Sequence, residues 1–374
     1  MQKTIDVKKE RKDANSEKIR ELEELISKTK YNKRTQHAIG LYKAQLAMLK
    51  EKQAARSAKG KGEGYAVRKT GDGTVVLLGF PSVGKSTLLN ALTNAHSPVG
   101  HYAFTTLTVI PGVLDYKHAK IQILDVPGVV HGAAAGTGRG KEVLSVIRNS
   151  DLVLFLIDVF HPEQYGALQK EVYDSHVRAN QKVPDVRLVK TSKGGINIGT
   201  TVKLTKIDKK TIEDVLREFK IINSNVTVRS DIDVDQLIDI IEGNKVYLPA
   251  IIVINKIDMA SNEELDKVKN KLNPDICISA EKNIGIGELK EWIYNKLKII
   301  RIYLKEYSKK ADMEEPLILW EGATLKDLCL KLHKDFVDKF KFARIWGSAR
   351  FPGQHITKLN YELKDGDIIE LRIK

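Results

Sequence analysis

Residues 79–86 read Gly-Phe-Pro-Ser-Val-Gly-Lys-Ser, and their types and spacing are those of a loop that holds phosphate. They follow an apolar run, 75–78, and precede a helical pattern, 87–92; a strand, a glycine-rich turn and a helix in that order are the context such a loop requires. Gly79 and Gly84 let the backbone curl around a β-phosphate at a helix N-terminus, with Phe80, Pro81, Ser82 and Val83 as the wrapping residues. Lys85 then adds a point charge on the β- and γ-phosphates. Ser86 supplies a hydroxyl for Mg²⁺, and Thr87 opens the helix.

Four further stretches extend this loop into a nucleotide site. Asp125 and Gly128 belong to Asp-Val-Pro-Gly at the end of an apolar run, about 40 residues after Lys85. The carboxylate is expected to reach Mg²⁺ through a water, and the Gly128 amide to sense the γ-phosphate. Between Ser86 and Asp125, His-Tyr-Ala-Phe-Thr-Thr-Leu-Thr offers a threonine to coordinate Mg²⁺ and report the γ-phosphate, and Thr106 is favoured over Thr105. Next, Ile-Ile-Val-Ile runs into Asn255, Lys256, Ile257 and Asp258. A carboxylate there accepts hydrogen bonds from the ring N–H and exocyclic amine of guanine, whereas adenine would leave it unpaired in a buried site. The nucleotide is therefore read as GTP rather than ATP. Asn255 is expected to brace the loops around the base, and the stem of Lys256 to cover the base face. Ser279 and Ala280 end the next strand, where the Ala280 amide can meet the guanine O6.

These residues need strands that end side by side. Runs 75–78, 121–125 and 152–157 are nearly continuous and apolar, as buried parallel strands are, which predicts an open α/β sheet covered on both faces. Ligands of such sheets bind outside the carboxyl ends of the strands. At 374 residues the chain predicts about two or three domains. The net charge is +14, and residues 1–70 hold 19 Lys+Arg against 9 Asp+Glu, a surplus of 10. That asymmetry suggests a polyanionic partner, RNA foremost, with a solvated basic helix as the alternative. Residues 15–30 and a second helical pattern ending near Arg56 read as a helical hairpin, too thin a core to stand without the next domain. No apolar run of membrane-spanning length and no secretory signal appears. Cys277 and Cys329 fall in different predicted units, which suits a reducing, cytoplasmic compartment.

Taken together, Gly-Phe-Pro-Ser-Val-Gly-Lys-Ser-Thr, Tyr-Ala-Phe-Thr-Thr-Leu-Thr, the glycine-rich stretch 125–140, Asn-Lys-Ile-Asp and the C-terminal 366–373 resemble the developmentally regulated GTP-binding (DRG) family, relatives of the Obg GTPases. The resemblance implies a P-loop GTPase domain at 71–169 and 247–300, a basic helical hairpin and linker at 1–70, and an α+β insertion at 170–246. It also implies a ubiquitin-like (TGS, β-grasp) domain at 313–374, after a helix that runs through 288–304. About 97 residues separate Asp158 from Asn255, more than one helix and its connections need, and the insertion accounts for them. In it, 186–208 reads as strands joined by a Gly-Gly turn, followed by two amphipathic helices. In the C-terminal unit, 316–320, 343–349, 359–363 and 367–374 read as strands around one helix capped by Thr324, with Lys341, Arg344 and Arg350 as candidate RNA contacts.

Val129 stands directly after Gly128, where many GTPases carry a water-orienting glutamine. Slow intrinsic hydrolysis is therefore expected, helped in cis by His131 or Arg139, or by a partner such as a protein activator. Some related GTPases hold K⁺ through an asparagine in the phosphate loop; here Ser82 stands at that position and argues against it. The family implies a nucleotide-dependent switch on ribosomes or RNA. The competing reading is an RNA-binding scaffold for which GTP is a stabilising ligand.

Overall fold

The computed structural model describes residues 2–30, 32, 35–57, 71–93, 110–126 and 145–373. They form two compact units, one of residues 1–64 with 181–247 and one of residues 65–180 with 248–374.

The larger unit is built on a six-stranded sheet. Its strands are β1 (Gly73–Leu78), β2 (Ile110–Tyr116), β3 (Ala119–Asp125), β4 (Leu152–Asp158), β10 (Ala250–Asn255) and β11 (Ile276–Cys277), in the spatial order β11-β10-β4-β1-β3-β2. Five are parallel, and β2 runs antiparallel along the β3 edge. Every residue of β1 and β4 is buried, as their nearly continuous apolar sequences require of strands covered on both faces. Helix α3 (Lys85–Leu92) buries Leu88, Leu89 and Leu92 against this sheet, and α8 (Ile286–Leu297) buries Leu289, Ile293 and Leu297 in the same core. The register puts Leu77 beside Asp125, Asn255 beside Asp158 and Ile254 beside Cys277, so the carboxyl ends of the five parallel strands lie in one row. No helix among the described residues is long and apolar enough to cross a membrane.

The sequence pattern carries a helix through residue 304, and the structure corrects this. Helix α8 stops at Leu297, Lys298 turns left-handed at φ 53°, and β12 (Ile299–Leu304) begins at once. Ile299, Ile300 and Ile302 are β-branched and favour the pleated conformation once the helix is broken. The C-terminal module therefore opens at β12, before residue 313. Its sheet has the order β13-β12-β16-β14-β15, with β13 (Leu317–Trp320), β14 (Phe340–Trp346), β15 (Gln354–Ile356) and β16 (Ile368–Ile373). Helix α9 (Leu325–Leu332) starts at Thr324 in a capping box with Asp327 and buries Leu325 and Leu328 on one sheet face. A short α10 (Asp335–Asp338) follows. The predicted strand at 359–363 is instead a turn with a single bridge, Thr324 to Glu362. Nor is the module separate: Ile299 and Ile318 belong to the core of the six-stranded sheet, and the same compact unit contains both sheets.

The smaller unit joins the N-terminal helices to the insertion. Helix α1 spans Gln2–Lys28, longer than its apolar periodicity predicts, because residues 2–14 contain neither glycine nor proline to stop it. Helix α2 (Gln36–Ser57) places Ala44 in one core with Ile212, Val215 and Leu216 of α5 (Lys209–Glu218) and Leu237 of α6 (Val234–Glu242). His37 bonds Asp214 at 2.6 Å, and Gly40 brings α2 so close that an added Cβ would meet the Thr211 methyl at 3.0 Å. The hairpin's thin core is completed there. Strands β6 (Val186–Lys190) and β7 (Ile196–Thr200) flank β8 (Ser224–Val228), antiparallel and parallel to it respectively, so the Gly-Gly turn does not close a hairpin. The chain passes between the units through β5 (Val177–Ala179) and β9 (Val246–Leu248), while helices α4 (Gln164–Asp174) and α7 (Asn262–Leu272) complete the larger one.

Candidate functional site

The loop 79–84 leaves β1 at the centre of the row of strand ends. Gly79 fits where no side chain would, since a Cβ would lie 2.6 Å from the Leu156 carbonyl oxygen and 2.8 Å from a Val83 methyl. Gly84 has φ 95°, and a Cβ there would fall 2.5 Å from the Asn255 amide nitrogen. Both glycines are thus set by close approach, one also by backbone conformation. Ser82 is exposed and takes φ 62°, while Phe80 and Pro81 lie half-buried and exposed beside it.

At the phosphate end, Lys85 Nζ donates to the carbonyls of Gly79 at 3.1 Å and Phe80 at 3.0 Å, which holds its charge over the loop. Ser86 Oγ donates to Asp125 Oδ2 at 3.2 Å. The other oxygen, Asp125 Oδ1, is buried and accepts no hydrogen bond from any described residue. Burial pushes the Asp125 carboxyl above the ordinary carboxylate range, against the pull of Lys85 and the Ser86 bond. Burial likewise lowers the Lys85 ammonium, with Asp125 opposing. A hydroxyl and a carboxylate, one of whose oxygens is buried and free of a partner among the described residues, form a hard-oxygen pair that suits a hydrated Mg²⁺. Thr87 is exposed in the first turn of α3. Thr106, Gly128, Val129, His131 and Arg139 lie outside the described residues.

At the opposite end, β10 delivers Asn255, which is 2% exposed. Its Nδ2 donates to the Val83 carbonyl at 2.9 Å, and its Oδ1 accepts from the Ala280 amide at 3.0 Å. One buried side chain therefore ties the phosphate loop to the segment after β11. Ser279 is fully buried there; it pairs with Ile284 through both backbone groups, and its Oγ accepts from the Lys282 amide at 3.1 Å. Lys256 takes φ 65° and caps a 3₁₀ turn, Ile257–Met259, that leaves Asp258 exposed.

Sequence reasoning treated Asp158 only as the end of a strand. It lies beside Asn255 in register, its Oδ2 accepts from Lys256 Nζ at 2.7 Å, and its Oδ1 accepts from the Phe160 amide at 3.0 Å. The carboxylate is the more buried partner, at 11% against 30% for the lysine side chain. An aspartate closing an otherwise apolar strand was the available signal. It holds the Lys256 ammonium, and with it the lysine stem, in place.

The arrangement brings together a glycine-rich loop, a lysine, a hydroxyl–carboxylate pair and, along the same row of strand ends, the exposed carboxylate of Asp258. Comparison with known proteins agrees with it. Residues 74–190 match the family profile described as 50S ribosome-binding GTPase, 193–299 the C-terminal region of that domain, and 300–373 the TGS domain. The chain is 52% identical to an uncharacterized GTP-binding protein of Methanocaldococcus jannaschii, over 96% of this chain and 93% of that one. It is 42% identical to developmentally-regulated G-protein 3 of Arabidopsis thaliana and 38% identical to developmentally-regulated GTP-binding protein 2 of Homo sapiens, in each case over 95% of this chain and 98% of the relative.

Proposed function

This chain belongs to the developmentally regulated GTP-binding protein family, and from that premise we propose that it is a nucleotide-dependent switch that binds ribosomes or RNA with GTP and releases them after hydrolysis. The observation that supports this most is the Asn255 bridge, which couples the phosphate loop at Val83 to the base segment at Ala280. In this reading Gly79, Phe80, Pro81, Ser82, Val83, Gly84 and Thr87 line the phosphates. Asp258, Ser279, Ala280 and the Lys256 stem hold guanine. Lys85 neutralises β,γ-charge, and Mg²⁺ is held by Ser86, Thr106 and, through water, Asp125. The ion would offset negative charge developing on the transferred phosphoryl group.

Hydrolysis asks the protein to position water and stabilise charge. Val129 has no side-chain group to orient water, so turnover by the chain alone is expected to be slow, with His131, Arg139 or a partner completing the site. Ser82, where a K⁺-binding asparagine would stand, argues against activation by K⁺. The ribosome or RNA contact is assigned to the basic segment 1–70 and the TGS domain, and the compartment to the cytoplasm. The test is single-turnover GTP hydrolysis with and without ribosomal particles. Acceleration supports a site completed in trans, whereas an unchanged rate favours a scaffold for which GTP is only a ligand.

A further inference from the structure

The helix-free face of the five-stranded sheet is not an ordinary polar surface. Along β14, Ala343 and Ile345 point into the core, so Phe342, Arg344 and Trp346 occupy the opposite face. In register across the sheet, His355 of β15 stands beside Arg344, Arg344 beside Glu370 of β16, and Phe342 beside Arg372. Lys305, just past β12, donates its amide to the Ile369 carbonyl and so reaches the same row from the other side.

Glu370 is the hub of this face. It is 2% exposed, and Arg372 at 3.2 Å, Lys305 at 3.5 Å and Arg344 at 3.9 Å surround its carboxylate. Three cations against one buried anion leave a net charge of +2, and the cations remain 26–37% exposed while the anion does not. Each cation also abuts a ring. Arg372 Cζ lies 3.9 Å from the Tyr307 ring centroid, and Lys305 Nζ lies 4.5 Å from that of Trp346. Arg344 Nε donates to His355 Nε2 at 2.8 Å, and the His355 ring stacks flat on Phe342 at 4.6 Å and 10°. Tyr307 is 63% exposed, and His355 is exposed as well.

We propose that this sheet face is a platform for single-stranded RNA, with unpaired bases stacking on Tyr307 and on the His355–Phe342 pair while Lys305, Arg344 and Arg372 meet the phosphates. Flat rings beside fixed cations are what sequence-tolerant single-strand binding needs. Glu370 never meets the ligand; it holds the guanidinium and ammonium groups in place, so less side-chain entropy is lost on binding. An acidic peptide would engage the cations and leave the rings idle. The inference rests on the RNA reading above and specifies the surface and the strandedness.

The test is fluorescence anisotropy of the full chain with a labelled 12-residue oligouridylate across a salt series, using duplex RNA and poly-glutamate as competitors. Tyr307→Ala with His355→Ala is expected to weaken binding by about tenfold or more, since a stacked base contributes roughly that factor. Lys305→Gln with Arg372→Gln is expected to lower the slope of log affinity against log salt by about 1.4, the single-strand value for two lost phosphate contacts. GTP turnover, carried by the other sheet, serves as the folding control and stays unchanged in both. If the unaltered chain binds oligouridylate and both double variants bind it equally well, the RNA reading stands and this platform is wrong. Competition by duplex RNA or poly-glutamate as effective as that by the oligonucleotide also overturns it. If the unaltered chain binds no RNA, the broader reading fails with it.

Discussion

The six-stranded sheet is parallel in five strands and its central strands β1 and β4 are buried on both faces, whereas the five-stranded sheet is mixed and buried on one. That difference decides where each carries chemistry. A sheet covered on both sides presents only its strand ends, and Gly79, Asp125, Asp158, Asn255 and Ser279 all stand at or just past such ends. A half-covered sheet presents alternate residues along every strand, as Phe342, Arg344 and Trp346 do. The first arrangement suits one compact ligand held from several loops; the second suits an extended one.

Substitutions at strand ends should therefore change nucleotide binding directly and leave the fold of the open face intact. The largest effect is expected from Asp258→Asn, which replaces an acceptor by a donor opposite the guanine amine. GTP affinity should fall by about a thousandfold, the factor that two guanine donors left unpaired at about 2 kcal/mol each would give, and xanthosine triphosphate should gain. Competition binding with the two nucleotides checks this. Next comes Asn255→Ala, which strips partners from the Val83 carbonyl and the Ala280 amide in a buried site. Two unpaired groups at about 1–3 kcal/mol each imply GDP dissociation faster by roughly a hundredfold, measured by stopped-flow with a fluorescent analogue. Asp158→Asn frees Lys256 without touching the base edge. GDP and IDP should both dissociate about tenfold faster, the scale of one charge-assisted hydrogen bond, with their ratio unchanged. A changed ratio would mean that Asp158 acts on Asp258 and not on the lysine.

The smallest effect sharpens the comparison from the other sheet. Arg301 donates to Asp365 from Nε at 3.1 Å and from a terminal nitrogen at 2.8 Å, and its backbone amide adds a bond at 2.7 Å. The Arg301 guanidinium holds the Asp365 carboxyl below the ordinary aspartate range. A depressed carboxyl contributes stability that is present above its unfolded value and is lost as pH falls through the folded one. Asp365→Asn should therefore lower Tm by about a few degrees at neutral pH and have no effect well below the ordinary aspartate range. A deficit that persists in strong acid would assign the loss to packing.

The segments that meet at the strand ends were readable because their determinants are local. Gly79 to Ser86 and Asn255 to Asp258 each sit in one short segment beside an apolar strand, so type and spacing carry the meaning. What escaped is non-local. Asp158 gains its role from a partner 98 residues away, and Glu370 gains its three cations only when β12, β14 and β16 come together. The helix continued through 299–304 failed for a related reason: Lys298 breaks it, and pairing of those residues with β13 and β16 outweighs the helical pattern behind them. The helical hairpin likewise shows its core only once Ala44 meets the inserted helices.

The central claim is that nucleotide state at the strand ends governs what the rest of the chain binds. The most direct measurement is the affinity of the full chain for ribosomal particles and RNA in three parallel titrations: with a non-hydrolysable GTP analogue, with GDP and without nucleotide. Binding tightest with the analogue, by about tenfold or more over GDP as a coupling of 1–3 kcal/mol would give, is the expected result. Equal affinity in all three would contradict the switch and leave a scaffold that GTP merely stabilises.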